Sequence, residues 1–187
     1  LGFFMANTLL CFGASFTGTY FTLGNMTQTL VGYAGSYFTL YAVNVISLTT
    51  IQWGLINTVI IGISIALMIP GGWLTDRYGR RTLITIFLGA ISILTILFLF
   101  CRTFPQVFAV MVMSGMVGSL STPAYNAIQL DYAPPEMRGK VYAYLQLGTG
   151  IVTVFSFSLG GYLYSINMIL PFLLYAFFAL LAALIAF

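Results

Sequence analysis

The chain contains no histidine, and its 187 residues include only six Lys or Arg and three Asp or Glu. Without histidine, clustered acids or a serine beside a base, nothing is placed to run acid–base or nucleophilic chemistry, so an enzyme is not expected. Cysteine is nearly absent too. Cys11 and Cys101 lie in apolar runs without metal-ligand spacing, which predicts small buried hydrophobes and neither a metal site nor a cofactor. The formal charge of +3 is small and scattered, and no basic stripe interleaved with aromatics exists; nucleic acid is therefore not an expected partner. Charged residues make up 5% of the chain, against about a quarter in soluble domains. That is too few to coat a globular surface.

What is present fits lipid instead. Hydrophobic residues make up 60% and aromatics 17%, and the mean hydropathy is +1.04. A spanning helix needs about 20 mostly apolar residues, and such runs fall at 51–70, 82–101, 105–128, 141–164 and 168–187. Pro70-Gly71-Gly72 is expected to end the first of these, Pro105 to open the third, Pro134-Pro135 to mark a loop, and Pro171 to sit early in the last. The runs are too long, and alternate too little, for strands. The first 46 residues would make a single helix of about 69 Å, so two spans are expected, near 2–23 and 29–46, or one broken helix. The fold expected is an all-α polytopic membrane protein. The chain opens without methionine and stops inside an apolar run, and is expected to be part of a longer polypeptide.

The charges are not evenly spread. Gly71-Gly72-Trp73-Leu74-Thr75-Asp76-Arg77-Tyr78-Gly79-Arg80-Arg81 holds three arginines and an aspartate between two apolar runs. A second polar stretch, Asp131 to Lys140, carries Arg138 and Lys140, and the loop between carries only Arg102. By the positive-inside rule both charged loops, 71–82 and 131–140, belong in the cytoplasm of a plasma or cytoplasmic membrane. Gly72 and Gly79 would permit a sharp turn, Leu74 would pack beneath it, and Arg77, Arg80 and Arg81 could meet phosphates or fork onto a carboxylate. Asp76 is costly near hydrocarbon unless paired or set at a helix N-terminus.

The run Gly-x-Leu-x-Asp-Arg-x-Gly-Arg-Arg at 72–81 resembles the signature loop of the major facilitator superfamily, found after the second helix of each six-helix half. Asp131-Tyr132-Ala133-Pro134-Pro135-Glu136-Met137-Arg138-Gly139-Lys140 is similar to the link between the fourth and fifth helices of such a half. The resemblance implies a secondary transporter working by alternating access, with residues 29–187 as one six-helix half and 1–28 as a preceding helix or a broken first helix. It also implies a latch: Asp76 facing a helix N-terminus in the opposite half, and Arg80 pairing with Asp131, with Arg138 and Gly139 in the second loop. Two patterns of the family are missing. Met111 stands where many N-terminal halves carry an arginine four residues before a glycine, here Gly115. The fifth helix reads Ser156-Phe157-Ser158-Leu159-Gly160-Gly161 in place of Gly-Pro-x-x-Gly-Gly. Both departures fit a C-terminal half better.

Polar residues within the runs offer a transport path or helix–helix hydrogen bonds. Tyr142, Gln146, Thr149, Thr153 and Ser156 share one helical face. In the resembled family the first and fourth helices of a half dominate the cavity, which adds Tyr37, Tyr41, Asn44, Ser114, Gly118, Tyr125 and Asn126. No Asp, Glu, Lys or His stands in mid-span, so a neutral or amphiphilic small molecule is the favoured cargo. The expected partners are the lipid bilayer, that small molecule and a second six-helix half from the same chain or a second copy. A receptor or scaffold that keeps the fold without transporting is the alternative.

Overall fold

The computed structural model describes residues 37–131 and 135–186, and every regular element within them is helical. In chain order these are α1 (Tyr37–Asn44), α2 (Thr50–Tyr78), α3 (Arg80–Phe100), α4 (Phe104–Asp131), a 3-10 turn (Pro135–Met137), α5 (Arg138–Ile166) and α6 (Leu170–Ala186). The expected spans before residue 37, together with Cys11, lie outside the described residues. Among the described residues, three helical stretches are long and apolar enough to cross a membrane: Thr50–Tyr78, Arg80–Phe100 and Phe104–Ala124.

Local chemistry sets the helix ends. Thr49 and Gln52 form a capping box at the start of α2: Thr49 Oγ1 accepts from the Gln52 N–H at 3.3 Å, and Gln52 Oε1 accepts from the Thr49 N–H at 3.0 Å. Reciprocal bonds of this kind satisfy two donors that the first turn leaves open. Gln106 Oε1 does similar work at α4, accepting from the Arg102 and Thr103 N–H groups at 3.0 and 3.3 Å. Before α6, Asn167 Oδ1 accepts from the Ile169 N–H at 2.9 Å.

One expected boundary is corrected. Pro70-Gly71-Gly72 does not end a helix; α2 runs through it to Tyr78. Proline removes one hydrogen bond from a helix interior, but packed neighbours and hydroxyl side chains make it tolerable in membrane helices. Here the backbone beside Pro70 is packed by a neighbour, since a Cβ on Gly71 would stand 3.1 Å from the Leu120 backbone of α4. Pro123 likewise lies inside α4.

Packing joins α2 to α4 and α3 to α6. A Cβ on Gly115 would meet Ile60 Cγ2 at 2.7 Å, and one on Gly71 would meet the Leu120 backbone at 3.1 Å. Between these points Ser119 Oγ donates to Ser64 Oγ at 2.8 Å. Contacts that advance together along both chains mean that α2 and α4 run parallel, and the two glycines let the helices approach closely. Along the other pair, Ser92 Oγ donates to the Ala176 carbonyl at 2.8 Å, and Phe98 meets Phe172 at 6.0 Å between centroids. Residue numbers falling on one helix as they rise on the other make α3 and α6 antiparallel.

An aromatic-rich apolar cluster gathers at the end away from the motif. Phe38 and Tyr41 of α1 pack on Phe98 and Phe172 with centroids 4.9–5.7 Å apart. Trp53, Ile56, Ile60, Val107 and Met111 complete the cluster. Cys101 is a free, buried thiol there, as its apolar setting predicts. Outward faces stay apolar: Tyr144, Leu147, Ile151, Phe155 and Tyr162 of α5, and Leu173, Phe177, Leu180 and Leu184 of α6, are all exposed. Exposed rows of this kind suit lipid contact and would be a liability in water.

Candidate functional site at the charged end

A single residue separates α2 from α3. Gly79 adopts φ 85°, ψ 142°, a conformation open essentially to glycine alone. This turn brings the motif's arginines to the end of the bundle where α4 also finishes. Gly72, expected to share in the turn, is instead an ordinary helical residue with nothing within 4 Å of where its Cβ would be. The turn belongs to Gly79.

Arg80, the first residue of α3, reaches α4: its Nη1 donates to the Ala127 carbonyl at 3.4 Å. Ala127 lies one turn before Asp131, the last residue of α4. The Asp131 side chain lies outside the described residues, so the expected ion pair stands as an expectation. Arg77 takes a different course. Its guanidinium lies 5.0 Å from the Trp73 ring and 5.7 Å from the Tyr78 ring, a cation–π arrangement on exposed aromatics. Asp76 and Arg81 are exposed, Leu74 is half-buried, and Thr75 is buried at 3% exposure. Arg138 and Gly139 are exposed at the start of α5.

The expected cavity residues separate into groups. Tyr41 is buried in the aromatic core, its hydroxyl donating to the Leu99 carbonyl at 3.4 Å. Tyr37 is half-buried and stacks on Tyr164 of α5, centroids 5.3 Å apart. Asn44 is exposed near the end of α1, while Ser114 and Asn126 are half-buried on α4. The side chains of Tyr125, Gln146, Thr149 and Thr153 lie outside the described residues. Sequence reasoning passed over Ser64, Ser92 and Ser119, whose hydroxyls tie helices together. The available signal was a small polar residue isolated in an apolar run.

With a charged turn on a glycine hinge, two closely packed parallel helices and an apolar exterior in place, comparison with known proteins decides the family. The family model described as Major Facilitator Superfamily matches residues 3–187. The chain belongs to the major facilitator superfamily. Its relatives include Multidrug resistance protein 1 of Bacillus subtilis (strain 168), 30% identical over 118 residues. That alignment covers 63% of this chain and 30% of the relative's length. Members of the major facilitator superfamily are membrane transporters, and the helical bundle is part of a major facilitator fold in an integral membrane protein.

Proposed function

We propose that the intact protein is a secondary transporter that moves a small solute by alternating access, with residues 29–187 supplying one half, the C-terminal one. Its pathway needs a second half, from the same chain or from a second copy. The observation that carries the reading is the contact of Arg80 with the carbonyl end of α4, across a turn made by Gly79 alone. The guanidinium is thereby anchored one turn from Asp131. A charge pair there, facing the cytoplasm, would hold one conformation and release the other.

Asp76 supports the same reading. It sits in the last turn of α2, where the carbonyl end of the helix dipole disfavours an anion. A helix N-terminus from the opposite half would offset that penalty. Formation of the Arg80–Asp131 pair, with Asp76 against that N-terminus, stabilises the outward-open state. The relative's description, a multidrug resistance protein, together with the absence of acids, lysines and histidines in mid-span, favours neutral or amphiphilic cargo. Tyr37, Asn44, Ser114, Tyr125, Asn126 and the stripe Gln146, Thr149, Thr153 are the side chains assigned to the cargo path.

The test is flux. The intact protein in sealed vesicles should carry a lipophilic dye across the bilayer against an empty-vesicle control. Saturable binding with no flux would overturn the transporter reading in favour of a receptor or scaffold.

A further inference from the structure

Two arginines beside the Gly79 turn behave differently. Arg80 is drawn inward to the Ala127 carbonyl, whereas Arg77 lies outside on α2. The Arg77 guanidinium rests 5.0 Å from the Trp73 ring and 5.7 Å from the Tyr78 ring, and makes no hydrogen bond or ion pair with another described residue. Ring faces attract the cation, yet they leave the N–H donors in its plane without oxygen acceptors. Side chains on a helix lean toward its N-terminus. Arg77, in the last turn of α2, therefore reaches back over Trp73 toward the middle of the bundle instead of out past its end. The helix has 29 residues, a length of about 43 Å against about 30 Å of hydrocarbon. Its last turns thus stand at headgroup depth, where Trp and Tyr collect.

Behind the guanidinium the surface is apolar and open. Ile65, Ile69 and Trp73 precede Arg77 at steps of four, along one ridge of the helix, and are 60%, 85% and 60% exposed. We infer that this ridge is a binding site for one anionic phospholipid. The phosphate oxygens accept a fork of N–H bonds from Arg77, the Trp73 ring lies at the glycerol level, and an acyl chain runs along Ile69 and Ile65. Charge complementarity selects the headgroup. Five of the six bases of the chain and all three of its acids fall at this end, which leaves it net positive. A zwitterionic headgroup brings its own ammonium beside the phosphate, and that ammonium is repelled here; an anionic one brings none. Arginine also matches two phosphate oxygens at once while stacking on an aromatic face, which lysine does not do. Asp76, the adjacent acid, stands about 100° round the helix from Arg77. The inference needs only that the bundle sits in a bilayer, and does not depend on the transport reading.

The test titrates the intact, delipidated protein in neutral detergent with phosphatidylglycerol or phosphatidylcholine of the same acyl chains, and counts bound lipid by native mass spectrometry. Wild type should hold one phosphatidylglycerol about ten-fold more tightly than phosphatidylcholine. Arg77→Gln should lower that preference about five-fold, the usual effect of one arginine on an anionic lipid, and Arg77→Lys should restore only part of it. Trp73→Leu, which keeps the charge and an apolar contact, should weaken both lipids about two-fold or more. Arg138→Gln is the control, because Arg138 is exposed at the same end with no ring beside it among the described residues; it should change the preference less than two-fold. These positions are exposed, so lipid-free thermal midpoints should hold. No preference in wild type overturns the inference. An equal loss in Arg138→Gln overturns it in favour of diffuse charge attraction, and displacement of the lipid by millimolar inorganic phosphate in favour of a free-anion site. A midpoint lowered by Arg77→Gln with lipid binding unchanged overturns it in favour of a protein surface covering this ridge. Flux is not read, so the transporter reading stands or falls separately.

Discussion

Gly115 of α4 lies directly against Ile60 of α2, close enough that a Cβ on the glycine would stand 2.7 Å from Ile60 Cγ2. Just beyond, the Ser119 hydroxyl lies within hydrogen-bond distance of both Ser64 Oγ, at 2.8 Å, and the Gly115 carbonyl, at 2.6 Å, with one proton to donate to either. Close approach and hydrogen bonding thus depend on each other, because hydroxyls on short side chains meet only when the backbones are near.

Gly115→Ala should therefore cost about 1–3 kcal/mol of stability, the usual penalty for overpacking. Combining it with Ile60→Ala, which removes the clashing methyl, should give back part of that loss. Thermal unfolding of both single variants and the double variant in detergent measures the coupling. Purely additive losses would show that the contact is not tight in the native bundle.

Gly79→Ala should destabilise the α2–α3 turn by about 1–3 kcal/mol. The informative comparison is Gly79→Asn. Asparagine tolerates the left-handed helical region, but φ 85° with ψ 142° lies outside it, so asparagine should fare no better than alanine. Thermal stability and yield of monodisperse protein read the outcome, and rescue by asparagine would contradict the geometry.

Arg80→Ala, Asp131→Asn and Asp76→Asn should each slow transport several-fold while leaving expression and cargo binding largely intact. An exposed pair contributes about 1 kcal/mol or less, yet that already moves a two-state equilibrium several-fold. Vesicle flux, with spin-label distances across the charged end, tests this. Wild-type cycling with an unchanged distance distribution would leave the motif with a topological role only.

Single cysteines at Thr82 and Thr103, both exposed, should be labelled from opposite sides of sealed vesicles, with Thr82 facing the cytoplasm. Labelling of both from one side by a membrane-impermeant reagent would contradict the assigned orientation.

How much of this was readable in the sequence depends on what each residue competes with. The spans after residue 50 follow from apolar length alone, since nothing else in the chain competes for lipid. Pro70-Gly71-Gly72 reads as punctuation because proline and glycine end helices in water. In the bundle the same glycine is where α2 meets α4, and the Thr75 hydroxyl bonds its carbonyl. Thr49-x-x-Gln52, by contrast, is a capping box legible from spacing alone. From its spacing Tyr41 could line a path, although filling a core is the commoner use of such a residue. Only its aromatic partners, distant in sequence, place it among Phe98 and Phe172. Ser64 and Ser119 each stand out locally as small polar residues in apolar runs, but that they bond to each other was beyond reach, because a pairing across 55 residues leaves no local trace.

The one-residue link at Gly79 also bears on how the protein is made. With no loop between Tyr78 and Arg80, the two helices have no slack with which to enter a membrane separately. If Arg77, Arg80 and Arg81 stay on the side of synthesis, as the positive-inside rule expects, the apolar lengths on either side would move in together as one hairpin. On that expectation α2 and α3 would insert as a single unit, and deleting one of them would set Arg138 and Lys140 against the same rule.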